Sequence, residues 1–178
     1  MDDIKATPSG ENTVQLLVTY MEMLERPAGD AFPAPIAHAV VTSERPDAAA
    51  FLSLYRAVGE PLRWDQRLRM PRADLDDFLG NLSTGLYILR LDGRAVGLCE
   101  FDRVDTHDVE LTHFGLIPDV YGQRLGPFLL DNARRAVWNR GANRIWLHTD
   151  EWDHPKAQAT YRRAGFSIFA QKLEEIVP

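Results

Sequence analysis

Two stretches of this chain hold residue types whose spacing can do chemistry. In "IPDVYGQRLGPFLL", Ile117–Leu130, a proline and two glycines stand where an apolar alternation gives way to a helical pattern. A strand-to-helix turn of this kind exposes backbone N–H groups, because the first four amides of a helix lack intrahelical partners and the helix dipole adds positive potential. The amides of Gln123, Arg124, Leu125 and Gly126 can converge there on a phosphate, Arg124 can add a full charge, and Pro127 loses little within a first helical turn. The same residues also suit an ordinary glycine-containing connection. In "HTDEWDHP", residues 148–155, four side chains are potential metal ligands: His148, Asp150, Asp153 and His154. Asp153 can instead cap a following helix. Cys99 lies mid-strand in an apolar run without an adjacent base, which makes it a poor nucleophile. Neither G-x-x-x-x-G-K-[ST] nor G-x-G-x-x-G occurs, so kinase and dehydrogenase readings lose their main support.

These residues need elements to position them. "TVQLLVTYMEM", residues 13–23, is rich in Val, Thr, Leu and Tyr and predicts a strand. "RPAGDAFPAP", 26–35, breaks any regular structure, and "IAHAVV", 36–41, predicts a second strand. A helix over roughly 47–58 follows, capped by Ser43 or Asp47 and ended by Gly59, with Ala50, Leu54, Ala57 and Val58 on one face. "PRADLDDFLGN" predicts a shorter helix with Leu75, Phe78 and Leu79 on one side. In "GLYILRLDGRAVGLCEF", two strands flank Asp92-Gly93, a pair that a type I′ hairpin turn prefers because both central residues need positive φ. "DVELTHFGLI", 108–117, predicts a third strand of this region, Gly126–Arg140 an amphipathic helix and "NRIWLHT" a strand. Together they form a βαβ unit with parallel strands and a right-handed crossover. "HPKAQATYRRAG" predicts a last helix with Pro155 at its start and Gly165 at its end, and "FSIFAQKL" a final strand.

Bulk properties bound the partners. The chain has 178 residues, 45% of them hydrophobic and 26% charged. That length fits one domain over residues 1–178, with residues 1–12 expected to be a flexible N-terminus. No apolar run reaches the length of a membrane span, and the first ten residues lack the features of a secretory signal. A lone cysteine excludes an intramolecular disulfide and a Cys-based zinc site. The expectation is a cytoplasmic protein without membrane association. A net charge of −6 argues against a broad basic face for nucleic acid and leaves room for a local positive pocket.

"ELTHFGLIPDVYGQRLGPFLLDNARRA", a strand, and then "HPKAQATYRRAGF" resemble the core of the GNAT superfamily of N-acetyltransferases, over about Leu86 to Phe169. The resemblance implies an α/β fold with a central, mostly antiparallel sheet, a splayed parallel strand pair and flanking helices. It implies acetyl-CoA as co-substrate, a primary amine as acceptor, direct attack without a covalent enzyme intermediate, no metal, and a homodimer as one assembly seen in the family. The family's pyrophosphate loop, Q/R-x-x-G-x-G/A, falls on Tyr121 to Gly126, giving Gly122, Gln123, Arg124, Leu125 and Gly126 to the cofactor. Two residues depart from that pattern. Tyr121 replaces the usual Gln or Arg, and Arg124 replaces a glycine, where a side chain narrows the gap to phosphate and disfavours positive φ.

By the same resemblance, Phe114, Gly115 and Leu116 would hold the pantetheine arm through their backbone, with a bulge at Gly115, and His154 would contact the cofactor. Tyr161 occupies the position of the tyrosine that protonates the departing thiolate, and Glu110 that of a glutamate acting as general base through water. Glu100 on the adjacent strand is a second carboxylate for the same cleft. His113 is an alternative base, on the opposite face from Glu110 if the strand alternates regularly. The residues from His148 to His154 would contact cofactor or acceptor rather than metal. "RWDQR", 63–67, would line the acceptor pocket, with Trp64 enclosing the substrate and Arg67 pairing with a carboxylate; Trp64 as core and Arg67 as surface fit equally. Arg124 also keeps a second reading open, a catalytically weak acyl-CoA-binding sensor of the same fold.

Overall fold

The computed structural model describes residues 13–176; the expectation for residues 1–12 lies outside them. Seven strands form one sheet in the order β2-β3-β4-β5-β6-β1-β7. The strands are β1 (Val14–Met23), β2 (Ala39–Ser43), β3 (Gly85–Leu91), β4 (Arg94–Asp102), β5 (Asp108–Leu116), β6 (Arg144–Thr149) and β7 (Ser167–Ile176). The helices are α1 (Ala48–Gly59), α2 (Arg72–Gly80), α3 (Leu125–Asn139) and α4 (Ala157–Arg163). All neighbouring pairs are antiparallel except β5 and β6.

Local chemistry explains most of these elements. Asp47 caps α1, its Oδ1 accepting from the Ala50 amide at 2.8 Å. The buried face of α1 is Phe51, Leu54, Tyr55 and Val58; Ala50 and Ala57 are exposed, because the large side chains a few positions along take the core. Asp92 and Gly93 have φ of 48° and 83°, as a type I′ turn requires. Strand β2 begins three residues later than its composition suggests, since Ile36 and Ala37 lie in turns and His38 takes a φ of 64°.

The strands β5 and β6 pair in parallel only from Asp108↔Arg144 to Glu110↔Trp146 and then part, leaving β5 beyond Glu110 without a neighbour on that side. The N-terminal strand closes the other flank. It lies antiparallel between β6 and β7, with Tyr20 opposite both His148 and Ala170. Periodicity identifies β1 as a strand that needs partners; its insertion between two strands more than a hundred residues away carries no local signal.

Candidate active site

A register shift sets which side chains of β5 share a face. Leu111 pairs with Phe101 and His113 with Glu100, so Thr112 is an extra residue in the ladder. The bulge therefore lies at Thr112, not at Gly115. Because cross-strand partners point to the same side, Glu110, His113 and Gly115 share one face, while Leu111, Phe114 and Leu116 share the other. Regular alternation would have separated Glu110 from His113. The slip is visible in the sequence, where apolar residues at 109 and 111 change phase to 114 and 116. Gly115 has a separate reason: a Cβ there would stand 2.6 Å from Val58 Cγ1, so its absence lets β5 lie close to α1.

Two cavities meet where β5 and β6 part. The first, about 380 Å³, runs along Phe114, Gly115 and Leu116 to the start of α3 and across to α4. Arg124 precedes α3 with φ 60° and ψ 17°, a left-handed conformation that glycine adopts at less cost, and Gly122 has φ 80°. No side chain caps α3, so its first amides are open. Gly122, Arg124, Leu125 and Gly126 line this cavity; Gln123 is exposed and is not part of its wall. Arg124, Lys156 and Arg163 give it a basic rim. The rings of Tyr121 and His154 meet edge to face at 5.2 Å and bridge its two banks.

The second cavity, about 640 Å³, is bounded by Arg63–Arg67, Phe78 of α2, the Glu110–Phe114 stretch and the loop after β6. Trp64 lies half-buried against its wall, its ring 4.6 Å from that of His113. Glu110 and His148 face each other here, Oε1 to Nδ1, at 3.7 Å. Burial raises the Glu110 carboxyl above its ordinary range, and His148 offsets this only in part. Glu110 borders the same cavity as Tyr161.

Glu100 does not open into the cleft. It is completely buried, where its carboxylate takes a forked pair of bonds from Arg67 (2.7 and 3.2 Å), one from Thr112 Oγ1 (2.6 Å) and a contact with His113 Nδ1 (3.0 Å). Burial alone would raise its pKa, yet the hydrogen bond and charge of His113 together with Arg67 hold it at about 2. The Arg67 guanidinium is thus committed to an internal partner rather than presented to a substrate carboxylate. His113 Nε2 in turn meets the Tyr55 hydroxyl at 3.0 Å, and Tyr55 accepts from the Arg67 amide at 3.4 Å. The resulting chain ties α1, the 63–67 segment, β4 and β5 together beneath the second cavity.

Tyr161 lines both cavities and is 6% exposed. Its ring packs on Phe114 at 5.8 Å. Burial, with the nearby Asp153 carboxylate, pushes its hydroxyl far above the usual range and keeps the proton on. Asp153 also borders both cavities; it accepts from Thr149 Oγ1 at 2.5 Å and from the Asp150 amide at 3.4 Å. It does not cap α4, which begins at Ala157 behind Lys156 without a side-chain cap. Among the described residues no group of three or more His, Cys, Asp or Glu side chains is arranged to hold a metal ion. Cys99 is fully buried and burial raises its thiol pKa, so it offers no thiolate.

The sequence profile of the Acetyltransferase (GNAT) family matches residues 51–166. The chain belongs to this family. Uncharacterized N-acetyltransferases of Mycobacterium tuberculosis and Mycobacterium bovis are 30% identical to it over 92 residues, 52% of this chain and 58% of theirs. The GCN5-related N-acetyltransferase from Sphaerobacter thermophilus superposes with a TM-score of 0.63 at 18% identity, over 92% of this chain and 53% of that one. A tandem GNAT protein from the clavulanic acid biosynthesis pathway gives 0.68 at 17% identity, over 89% and 52%. The chain therefore spans little more than half the length of these relatives. The structural likenesses establish the GNAT fold, a mixed sheet with one parallel pair and helices on its faces, as the sequence implies.

Proposed function

We propose that this chain transfers an acetyl group from acetyl-CoA to a primary amine of a small molecule or peptide by direct attack. The observation that carries the reading is Tyr161, a buried protonated phenol at the junction of two cavities of different character.

The residues of the first cavity fit the cofactor. Open amides at the start of α3 and the cations Arg124, Lys156 and Arg163 suit a pyrophosphate and a further phosphate, and the free edge of β5 after Glu110 offers backbone groups to a peptide-like arm. Bound there, acetyl-CoA supplies an activated thioester. The amine enters through the second cavity. Glu110 takes its proton through water, the nitrogen forms the amide bond as the carbon–sulfur bond breaks, and Tyr161 gives its proton to the departing thiolate. The raised carboxyl of Glu110 brings the base closer to neutral pH, where proton acceptance and substrate deprotonation are better matched.

Thiol release from acetyl-CoA against a panel of primary amines tests the proposal. Amine-dependent release is expected; stabilisation of the protein by acetyl-CoA without release on any amine would favour the sensor, and no stabilisation would remove the cofactor.

A further inference from the structure

The geometry points to a di- or polyamine as the acceptor, anchored through one ammonium by the carboxylates of the second cavity while another amine reaches Tyr161. This rests on the donor and acceptor roles given above to the two cavities.

The charges of the second cavity are unequal. Asp65, Asp102, Glu110, Asp150 and Asp153 border it, against Arg63, Arg67, His113 and His148; Asp65 is paired with Arg69 and His113 with Glu100. Arg67 is neutralised by Glu100 below the wall, and the Arg63 guanidinium lies 5.0 Å over the ring of Trp152. The first cavity has the opposite balance, with Arg124, Lys156 and Arg163 against Asp153. Fields focused in clefts of opposite sign draw opposite ligands, so an acceptor carrying carboxylates is repelled where a polycation is drawn in.

The chemistry narrows the class further. The attacking nitrogen must be neutral, so a monoamine loses its attraction to the acidic wall at the moment of transfer. A second ammonium keeps its charge before and after the step. Asp102, beside Glu110 in the ladder, and Asp150, across the gap, are placed to hold it while Glu110 accepts the proton. A cavity of about 640 Å³ has room for such a chain.

The test compares spermidine, n-butylamine and glycine as acceptors in the thiol-release assay, with acetyl-CoA binding measured separately by calorimetry. Spermidine is expected to exceed n-butylamine in kcat/KM by about tenfold or more, with glycine slowest, and the advantage should shrink as salt is raised. The double variant Asp102→Asn/Asp150→Asn should raise the KM for spermidine by a larger factor than that for n-butylamine and leave the Kd for acetyl-CoA unchanged. Turnover of n-butylamine or glycine as efficient as that of spermidine overturns this inference and leaves acetyl transfer standing. Acetyl-CoA binding without turnover of any of the three also overturns this inference, and acetyl transfer falls with it only if the whole amine panel is silent.

Discussion

The two cavities share Tyr161 and differ in how they are made. The first is mostly the work of continuous segments, the Tyr121–Pro127 turn and one bank of α4, and it presents backbone and basic side chains. The second gathers side chains from widely separated stretches, has several acids on its border, and rests on the buried Arg67–Glu100–His113–Tyr55 chain. Backbone amides recognise what many ligands have in common, such as a phosphate, and a short sequence can encode them. Side chains brought together from distant positions recognise a particular ligand, and their placement depends on every element that carries them. Breaking the second cavity should therefore damage the fold, whereas changes to the first should mostly alter binding.

The largest effect is expected from Arg67→Ala. It leaves the Glu100 carboxylate buried with only His113 as a cationic partner, a loss of about 3–5 kcal/mol for a pair of this kind. Urea unfolding measures it, and a change within error would mean that water reaches Glu100. The wild-type pH dependence carries the same information. The folded pKa of about 2 lies below the ordinary value, so this carboxylate adds stability above the unfolded pKa and loses it as pH falls toward the folded one. Wild-type stability should therefore decline from about pH 4.5 toward pH 2.

At the junction the effects become kinetic. Tyr161→Phe should lower kcat by about a hundredfold with little change in the KM for acetyl-CoA, because in the proposed reaction the hydroxyl acts only as the thiolate leaves. An unchanged kcat would remove Tyr161 from the proton transfer. Glu110→Gln should cost about tenfold in kcat/KM, less than the tyrosine because water can still carry the proton. With the carboxyl raised by burial, wild-type activity should fall with decreasing pH at a point above the ordinary glutamate range, and this limb should vanish in the variant. If the limb persists in Glu110→Gln, His113, on the same face of β5, becomes the group to examine.

What was legible follows the same division. The parallel β5–β6 pair appears as read, and Asp92-Gly93, the Asp47 cap and the glycine turn before α3 are encoded within a few residues each, although Gln123 of that turn lies outside the cavity wall. The burial of Glu100 is not, since an isolated glutamate in an apolar strand does not reveal that Arg67, Thr112 and His113 converge on it. Neither is the position of β1, because any edge with matching polarity can take a strand and only the tertiary fold chooses. The Thr112 bulge falls between these cases. Its trace is the phase change from Leu111 to Phe114, and strict alternation misses it.

Arg124 offers the finest comparison, since it tests whether the first cavity gains from a side chain where the family favours none. Its φ of 60° costs a non-glycine residue about 1 kcal/mol or somewhat more, while glycine in its place would cost about 0.5–1 kcal/mol in chain entropy. Arg124→Gly should therefore change stability by less than about 1 kcal/mol, in the stabilising direction. It also removes one cation from an exposed rim, where a single charge contributes about 0.2–1 kcal/mol, so acetyl-CoA should bind about 1.4- to fivefold more weakly. Calorimetry and thermal melts on the same pair of proteins separate the two terms. Tighter binding by Arg124→Gly would show that the side chain obstructs the cradle, which is the behaviour expected of the weakly catalytic sensor.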